Sequence, residues 1–181
     1  MQKWKTRWIL VNLGEISSRA LEESRMDQIE IEPQIILATD VSEEGINLIK
    51  KFEGCKLEAY RLEGEKFYTI GYGHYGADVK PGQKITHEEA ERLLIADLKG
   101  TVEYVLNTCD YLELKQNELD ALVSFTYNCG IGSLNKLTAD KTRTKEEIAD
   151  HISAYTKSES EVNRNGLQKR REEEKKLFKG V

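Results

Sequence analysis

Cysteine, proline and long apolar runs are scarce in this chain of 181 residues. Two prolines are typical of an ordered, helix-rich protein, and 39% hydrophobic residues are enough for one domain with its own core. The three cysteines, Cys55, Cys109 and Cys129, fit no metal-ligand spacing. Because their number is odd, at least one thiol is unpaired. The sequence therefore predicts reduced thiols in a protein made in a cytosol.

An excess of positive charge is also absent. Charged residues make up 33% of the chain, with a formal net charge of −5, so nonspecific binding to nucleic acid has no electrostatic support. Near the N-terminus, Lys3, Lys5 and Arg7 precede the apolar run Trp8–Val11, in the manner of a signal peptide. The run stops at Asn12 and is too short for a signal or an anchor. We therefore expect no membrane anchor and no self-directed export.

The chain divides at about residue 41. Residues 1–41 hold a possible strand at 8–11, a helix-like stretch at 15–26 and an extended segment around 29–37, but no recognisable chemistry. We treat them as an N-terminal extension of unknown role, which packs on residues 42–181 or belongs to a delivery or assembly device.

Residues 42–181 carry the pattern of one α+β domain. Ser42 caps a helix that ends at Gly54, residues 57–75 alternate as strands with glycines at turns, and Thr86 to Glu89 form a capping box at the start of a long helix. Leu112 to Cys129 is apolar on nearly every side, as in a core helix ended by Gly130 and Gly132. Two further helices are predicted, at 145–155 and 165–178.

Two short segments carry the chemistry. Lys51 to Tyr60 reads KFEGCKLEAY and Phe67 to His74 reads FYTIGYGH. This order places the carboxylate of Glu53 at a helix end, close to a turn rich in threonine and glycine. Cleavage of a glycosidic bond needs such a proton donor beside a hairpin that carries a second polar group.

These segments resemble the signature of the phage-type lysozymes, glycoside hydrolase family 24, and the resemblance extends from about Val41 to Phe178. It implies a two-lobed domain in which a long helix joins a small antiparallel sheet to a mainly helical lobe. It also implies a peptidoglycan hydrolase that cleaves the β-1,4 bond between N-acetylmuramic acid and N-acetylglucosamine with inversion. The implied partner is the glycan strand, and no cofactor and no metal are expected.

The resemblance assigns roles to individual residues. Glu53 matches the family's proton donor, and Thr69 matches the residue that positions the attacking water. Arg170, eight residues before Phe178, matches the arginine beside the donor. His74 and Asp97 match a structural pair that ties the sheet to the long helix, rather than a catalytic or metal site. Tyr75 and Tyr127 fall where the family contacts glycan, although both also suit a core or a rim.

The second carboxylate departs from the family pattern, which has an Asp nine residues after the Glu and six before the Thr. Here Glu53 and Thr69 are sixteen residues apart, so one count gives Leu62 and the other Glu63. Glu63 is the first candidate, and Glu65 and Asp78 are the alternatives. We expect the extra residue in the turn after Tyr60.

The resemblance favours a lysozyme made in the host cytoplasm, which reaches the cell wall after holin release or by virion delivery. We expect a monomer, with an assembly contact possible through residues 1–41. Two alternatives stay open at this point. One is a tail-associated virion lysozyme, and the other is a wall-binding module with little catalytic activity.

Overall fold

A computed structural model describes residues 37–157 and 161–181, and these residues belong to one compact unit. Its elements are α1 Glu43–Glu53, β1 Lys56–Tyr60, β2 Tyr68–Gly71, β3 His74–Gly76, α2 His87–Thr108, α3 Gln116–Cys129, α4 Ile131–Leu137, α5 Lys145–His151, a 3-10 helix Ile152–Ala154 and α6 Glu161–Lys179. The small sheet lies between helices in the sequence, and the other helices follow it. The predicted α+β class is confirmed.

Helix α1 begins and ends as the sequence predicts. The Ser42 hydroxyl accepts a hydrogen bond from Gly45 N at its start. Asp120 of α3 in turn accepts hydrogen bonds from the backbone N and the hydroxyl of Ser42, at 2.8 and 2.5 Å. At the other end Gly54 has a φ of 68°, a conformation that glycine adopts at little cost. These contacts fix both ends of the helix that carries Glu53.

Strands β1, β2 and β3 form an antiparallel sheet in that order. Lys56 pairs with Gly71 and Tyr60 pairs with Thr69, so the register shifts within β1. Between these two pairs β1 contains more residues than β2, as a bulged strand does. The position of the residue that is extra to the family pattern, expected in the turn after Tyr60, stays a prediction.

Helix α2 connects the sheet to the remaining helices. Its capping box is complete, since Thr86 accepts from Glu89 N and Glu89 accepts from Thr86 N. Its 22 residues span about 33 Å. A Cβ atom on Gly71 of β2 would lie 3.3 Å from the Cβ of Ala90, so a glycine allows the sheet to approach α2 closely.

Helix α3 is the central helix, and it packs against α1, α2, α4 and α6. It begins at Gln116 rather than at Leu112, because Glu113 has a φ of 48° and the residues between are not helical. Gly130 ends it as predicted, with a φ of 78°. Gly132 does not end a helix: it lies inside α4, a helix that the sequence pattern did not predict. Gly130 is both the C-cap of α3 and the N-cap of α4.

The later helices agree with the sequence apart from their ends. The stretch predicted at 145–155 consists of α5 followed by the 3-10 helix, and the last helix starts at Glu161, four residues earlier than predicted. Between Leu37 and Val181, outside 158–160, no helix has the length and apolar character needed to cross a membrane.

The structure describes only the last part of the N-terminal extension. The elements predicted at 8–11 and 15–26, and most of that at 29–37, lie outside the described residues. Ala38 is buried, and its backbone N donates to Leu114 O at 3.1 Å. The carbonyl of Asp40 accepts a hydrogen bond from the side chain of Gln116 at 2.8 Å. The residues just before 42 therefore pack on the domain, while the boundary and the role of the extension stay predictions.

Candidate active site

Glu53 is the last residue of α1, and its side chain is about a quarter exposed, at 23%. It lies in the lining of two pockets. One, of about 410 Å³, is lined by Glu53, Tyr72, Gly73, Tyr75, Asp97 and Tyr127. The other, of about 390 Å³, is lined by Phe52, Glu53, Asn128, Lys157, Asn163, Gly166, Leu167 and Arg170. Glu53 is thus accessible from both pockets.

Arg170 of α6 holds Glu53 in this place. Its Nη1 donates to Glu53 Oε1 at 2.6 Å, so the predicted contact is confirmed. The guanidinium lies 5.7 Å from the ring centroid of Phe52, and the side chain of Arg170 is only 3% exposed. Oε2 of Glu53 accepts no hydrogen bond from any described residue. One oxygen is anchored and the other is available to a ligand.

A buried ionic cluster behind Arg170 was missed in the sequence. Glu174 Oε1 accepts from Arg170 Nε at 3.0 Å and from the Ser124 hydroxyl at 2.7 Å, and Arg171 Nε lies 2.9 Å from Glu174 Oε2. Burial raises the pKa of Glu174, and the charges of Arg171 and Arg170 oppose this shift. The spacing of Arg170 and Glu174 on one helix was a signal for i, i+4 pairing. Charged residues on a helix are usually exposed to solvent, however, so burial of Glu174 was not predicted.

Tyr75 and Tyr127, the predicted glycan contacts, both line the pocket beside Glu53. The Tyr127 hydroxyl donates to Tyr72 O at 3.1 Å, which ties α3 to the turn between β2 and β3. Burial, and then the charge of Glu53, raises the pKa of Tyr127 to about 12. Tyr75 is 47% exposed and packs edge-on against Phe67. Tyr127 therefore lines the pocket with a side chain held by a hydrogen bond, and Tyr75 exposes its aromatic ring to solvent beside the pocket.

Thr69 lies in the middle of the sheet, opposite Tyr60 on one side and Tyr75 on the other. It is 8% exposed, and neither pocket beside Glu53 includes it in its lining. The structure thus places Thr69 opposite a residue that lines the pocket beside Glu53. Its role in orienting water stays a prediction.

The three candidates for the second carboxylate have different surroundings. Glu63 is exposed in the turn between β1 and β2 and has no hydrogen bond or ion pair to any described residue. Glu65 accepts a hydrogen bond from Leu62 N at 2.9 Å within the same turn. Asp78 accepts from His74 Nε2 at 2.8 Å. None of the three lines a pocket beside Glu53, so the assignment stays a prediction.

His74 and Asp97 are in contact as predicted, with Nδ1 of the ring 2.9 Å from the carboxylate. The contact of the other ring nitrogen with Asp78 was missed. Burial lowers the pKa of His74, but the hydrogen bonds to Asp78 and Asp97 outweigh burial and raise it above 6.5 overall. The same bond lowers the pKa of Asp78. Through these two contacts, His74 joins β3 to α2 and to the loop between β3 and α2.

Comparison with known proteins identifies the family. The sequence profile described as phage lysozyme matches residues 50–174, a range that contains Glu53, the sheet and Arg170. The chain belongs to the phage lysozyme family. A relative named endolysin, from Bacillus phage B103, is 44% identical over 143 residues, which are 77% of this chain and 54% of that protein. The chain thus spans about half the length of such curated relatives.

Solved structures of lysozyme-like proteins have the same fold. The muramidase domain of SpmX from Asticaccaulis excentricus is 34% identical, with a TM-score of 0.68, and the match covers 78% of this chain and 98% of that domain. The endolysin of Escherichia coli O157:H7 phage FAHEc1 is 35% identical with a TM-score of 0.64, over 79% of this chain and 96% of that one. This member of the phage lysozyme family therefore has the lysozyme-like fold that the sequence predicted.

Proposed function

We propose that this protein is a lysozyme that cleaves the β-1,4 bond between N-acetylmuramic acid and N-acetylglucosamine in peptidoglycan. The observation that carries the proposal is the position of Glu53: a helix-end carboxyl group that the buried Arg170 anchors through Oε1, and that belongs to the lining of both adjoining pockets. Family membership and the names of the relatives support the same activity.

In the proposed reaction, Glu53 protonates the oxygen of the leaving sugar. A proton donor must lie within hydrogen-bond reach of that oxygen, and a carboxyl group anchored on one side meets this condition without losing orientation. Thr69 orients the water that attacks from the opposite face. The product has inverted configuration at the anomeric carbon, and the reaction needs no cofactor and no metal.

Glu63 is the proposed second carboxylate, which supports the oxocarbenium-like centre or polarises water. Of the three candidates it is the one with no partner among the described residues, whereas Glu65 and Asp78 accept hydrogen bonds from neighbours in the sequence. An inverting site needs the two carboxyl groups about 6.5 to 9.5 Å apart when the substrate and the water are bound.

Tyr75 and Tyr127 are the proposed contacts to the glycan strand. The exposed ring of Tyr75 suits stacking against the apolar face of a sugar, and Tyr127 limits the depth of the pocket. The partner is then the glycan of the cell wall. Synthesis in the host cytoplasm, release by a holin or delivery in a virion, a monomeric state and an assembly role for residues 1–41 belong to the same proposal.

The test is digestion of purified peptidoglycan by the full chain. Mass spectrometry of the soluble muropeptides, with borohydride reduction of new reducing ends, identifies the bond cleaved. The expected products end in reducible N-acetylmuramic acid. Reducing ends on N-acetylglucosamine would contradict the assigned bond. Binding to the wall without any new reducing ends would instead favour a wall-binding module.

A further inference from the structure

Glu174 is a completely buried acid on α6, and its carboxylate pairs with Arg170. Its side chain is 0% exposed, and a carboxyl group at such a position needs partners to offset the loss of water. Its partners are Arg170, Arg171 and the hydroxyl of Ser124. The first of these is the residue that holds Glu53, so Glu174 lies one contact away from the proposed proton donor.

The hydrogen bonds of Arg170 fix the plane of its guanidinium. An arginine presents its N–H groups in a rigid planar fork, so contacts in two directions determine where the third points. Nε donates to Glu174 Oε1 at 3.0 Å, and Nη2 donates to the carbonyl of Ser124 at 3.2 Å. Nη1 then points at Glu53 Oε1, at 2.6 Å.

Glu174 is itself held from two sides. Oε1 accepts from the Ser124 hydroxyl at 2.7 Å and from Arg171 Nη2 at 3.1 Å. Oε2 lies 2.9 Å from Arg171 Nε, an ion pair without hydrogen-bond geometry. Arg171 is anchored in turn by Asn128 Oδ1 at 2.8 Å and by the Cys129 sulfur at 2.6 Å. Because α3 contributes both Ser124 and Asn128, a rigid framework between α3 and α6 supports the carboxylate.

We propose that Glu174 is a positioning residue for the reaction: it fixes the plane of Arg170, and through Arg170 it holds the carboxyl group of Glu53 in its catalytic orientation. This inference rests on the proposed lysozyme activity. A misplacement of about 1 Å in a catalytic group can cost on the order of 10²-fold in rate. Glu174 thus contributes to the rate although it does not contact the substrate.

A purely structural role must be separated from this one, since Glu174 also neutralises the buried Arg171. The variant Arg171→Met with Glu174→Met removes one charge of each sign and fills the space with apolar side chains, a replacement that often preserves or increases stability. Arg170 and Glu53 remain. The matched control is Lys175→Met with Asp150→Asn, which removes two ion pairs between α6 and α5, those of Lys175 and Lys179 with Asp150, and leaves Arg170 untouched.

If Glu174 positions Arg170, the double variant Arg171→Met with Glu174→Met keeps the fold but lowers kcat by about 10- to 100-fold, with little change in KM. The limbs of its pH–rate profile move as well, because the contacts of the proton donor have changed. The control keeps the parental kcat and pH profile. Parental kcat in a folded double variant would overturn the inference, and so would a loss confined to KM.

Ser124→Ala provides a second variant in case the double variant does not fold. It removes the hydroxyl that donates to Glu174 and leaves every charge in place. Loss of one hydrogen bond of this kind is expected to lower kcat by roughly 2- to 10-fold. An unchanged kcat in folded Ser124→Ala would overturn the inference. The parental chain is measured first: if it produces no reducing ends, the proposed function fails, whereas an active parent with equally active variants contradicts the positioning role alone.

Discussion

At the scale of single residues, the central feature is a carboxyl group with two unlike oxygens. Glu53 is bound to Arg170 through Oε1, its Oε2 accepts no hydrogen bond from the described residues, and the residue lines the adjoining pockets. Removal of the proposed proton donor without change of shape tests its role most directly. The contacts of the neighbouring residues with Glu53 determine how firmly its carboxyl group is held.

Glu53→Gln is expected to lower the rate of peptidoglycan cleavage by about 10² to 10⁴, the usual contribution of a general acid. Binding to insoluble wall is expected to persist, since the amide keeps the shape of the side chain. Muropeptide release and wall pull-down measure the two properties separately. Near-parental cleavage by a variant with an unchanged thermal midpoint would refute the assignment.

Glu63→Gln is expected to reduce the cleavage rate by about 10² or more, while Glu65→Gln and Asp78→Asn retain most of it. The reason is that local hydrogen bonds occupy Glu65 and Asp78, whereas Glu63 has no partner in the described part of the chain. The three variants are compared in one muropeptide assay. An active Glu63→Gln beside an inactive Glu65→Gln or Asp78→Asn would move the role to that residue.

His74→Asn is expected to destabilise the fold by on the order of 1 to 3 kcal/mol at pH 5.5, as for hydrogen bonds to charged groups. The folded pKa of His74 is raised, so its stabilisation is complete below about 6.5 and is lost as pH rises through the folded value. The pKa of Asp78 is lowered, and its contribution is therefore lost only as pH falls below about 3.8.

Thermal midpoints of His74→Asn and its parent at pH 5.5 and 8.5 measure this effect. The difference between the two proteins is expected to be larger at pH 5.5. His87→Asn is the matched control, because His87 is exposed on the first turn of α2. An equal difference at both pH values would show that the charge of His74 does not stabilise the fold.

At the scale of elements, local signals define the helices that carry the site. The capping box of Thr86 and Glu89 begins α2, and Ser42 begins α1. Only Gly130 separates α3 from α4. Two glycines close together, Gly130 and Gly132, predicted a helix end and concealed the helix that follows. A helix of seven residues has too few turns to show a clear period.

Thr86→Ala is expected to cost about 1 kcal/mol, the typical loss when a capping side chain is removed. For a domain of this size that loss lowers the thermal midpoint by roughly 2 to 4 °C. Lys99→Ala, at an exposed position of the same helix, is the control and should leave the midpoint nearly unchanged. A Thr86→Ala midpoint equal to that of the control would show that the box does not limit stability.

At the scale of the whole molecule, residues before Ser42 contribute to the packing of the domain. Ala38 is buried and bonded to Leu114, and the carbonyl of Asp40 is bonded to Gln116. These contacts join residues assigned to the extension to the start of α3. They predict that the domain needs part of the segment before Ser42.

Truncations after residue 36 and after residue 41 test this prediction. Loss of residues 37–41 removes at least one backbone hydrogen bond, worth about 1 kcal/mol net, so the shorter chain should melt roughly 2 to 4 °C lower than the longer one. Both should release muropeptides if residues 1–41 serve delivery or assembly. Equal midpoints would place the start of the domain at residue 42.

The sequence alone determined the class of fold and most helices, because capping residues and apolar periodicity are local signals. Its resemblance to the phage-type lysozymes implied the contacts of Arg170 with Glu53 and of His74 with Asp97, which the structure contains. Only the tertiary structure revealed the shift of register within β1, since a bulge depends on how two strands pair rather than on one strand. It alone also placed Glu174 and Arg171 in the core. A charged residue is buried only where other elements supply its partners, and those partners are 50 and 43 residues away in the sequence, at Ser124 and Asn128.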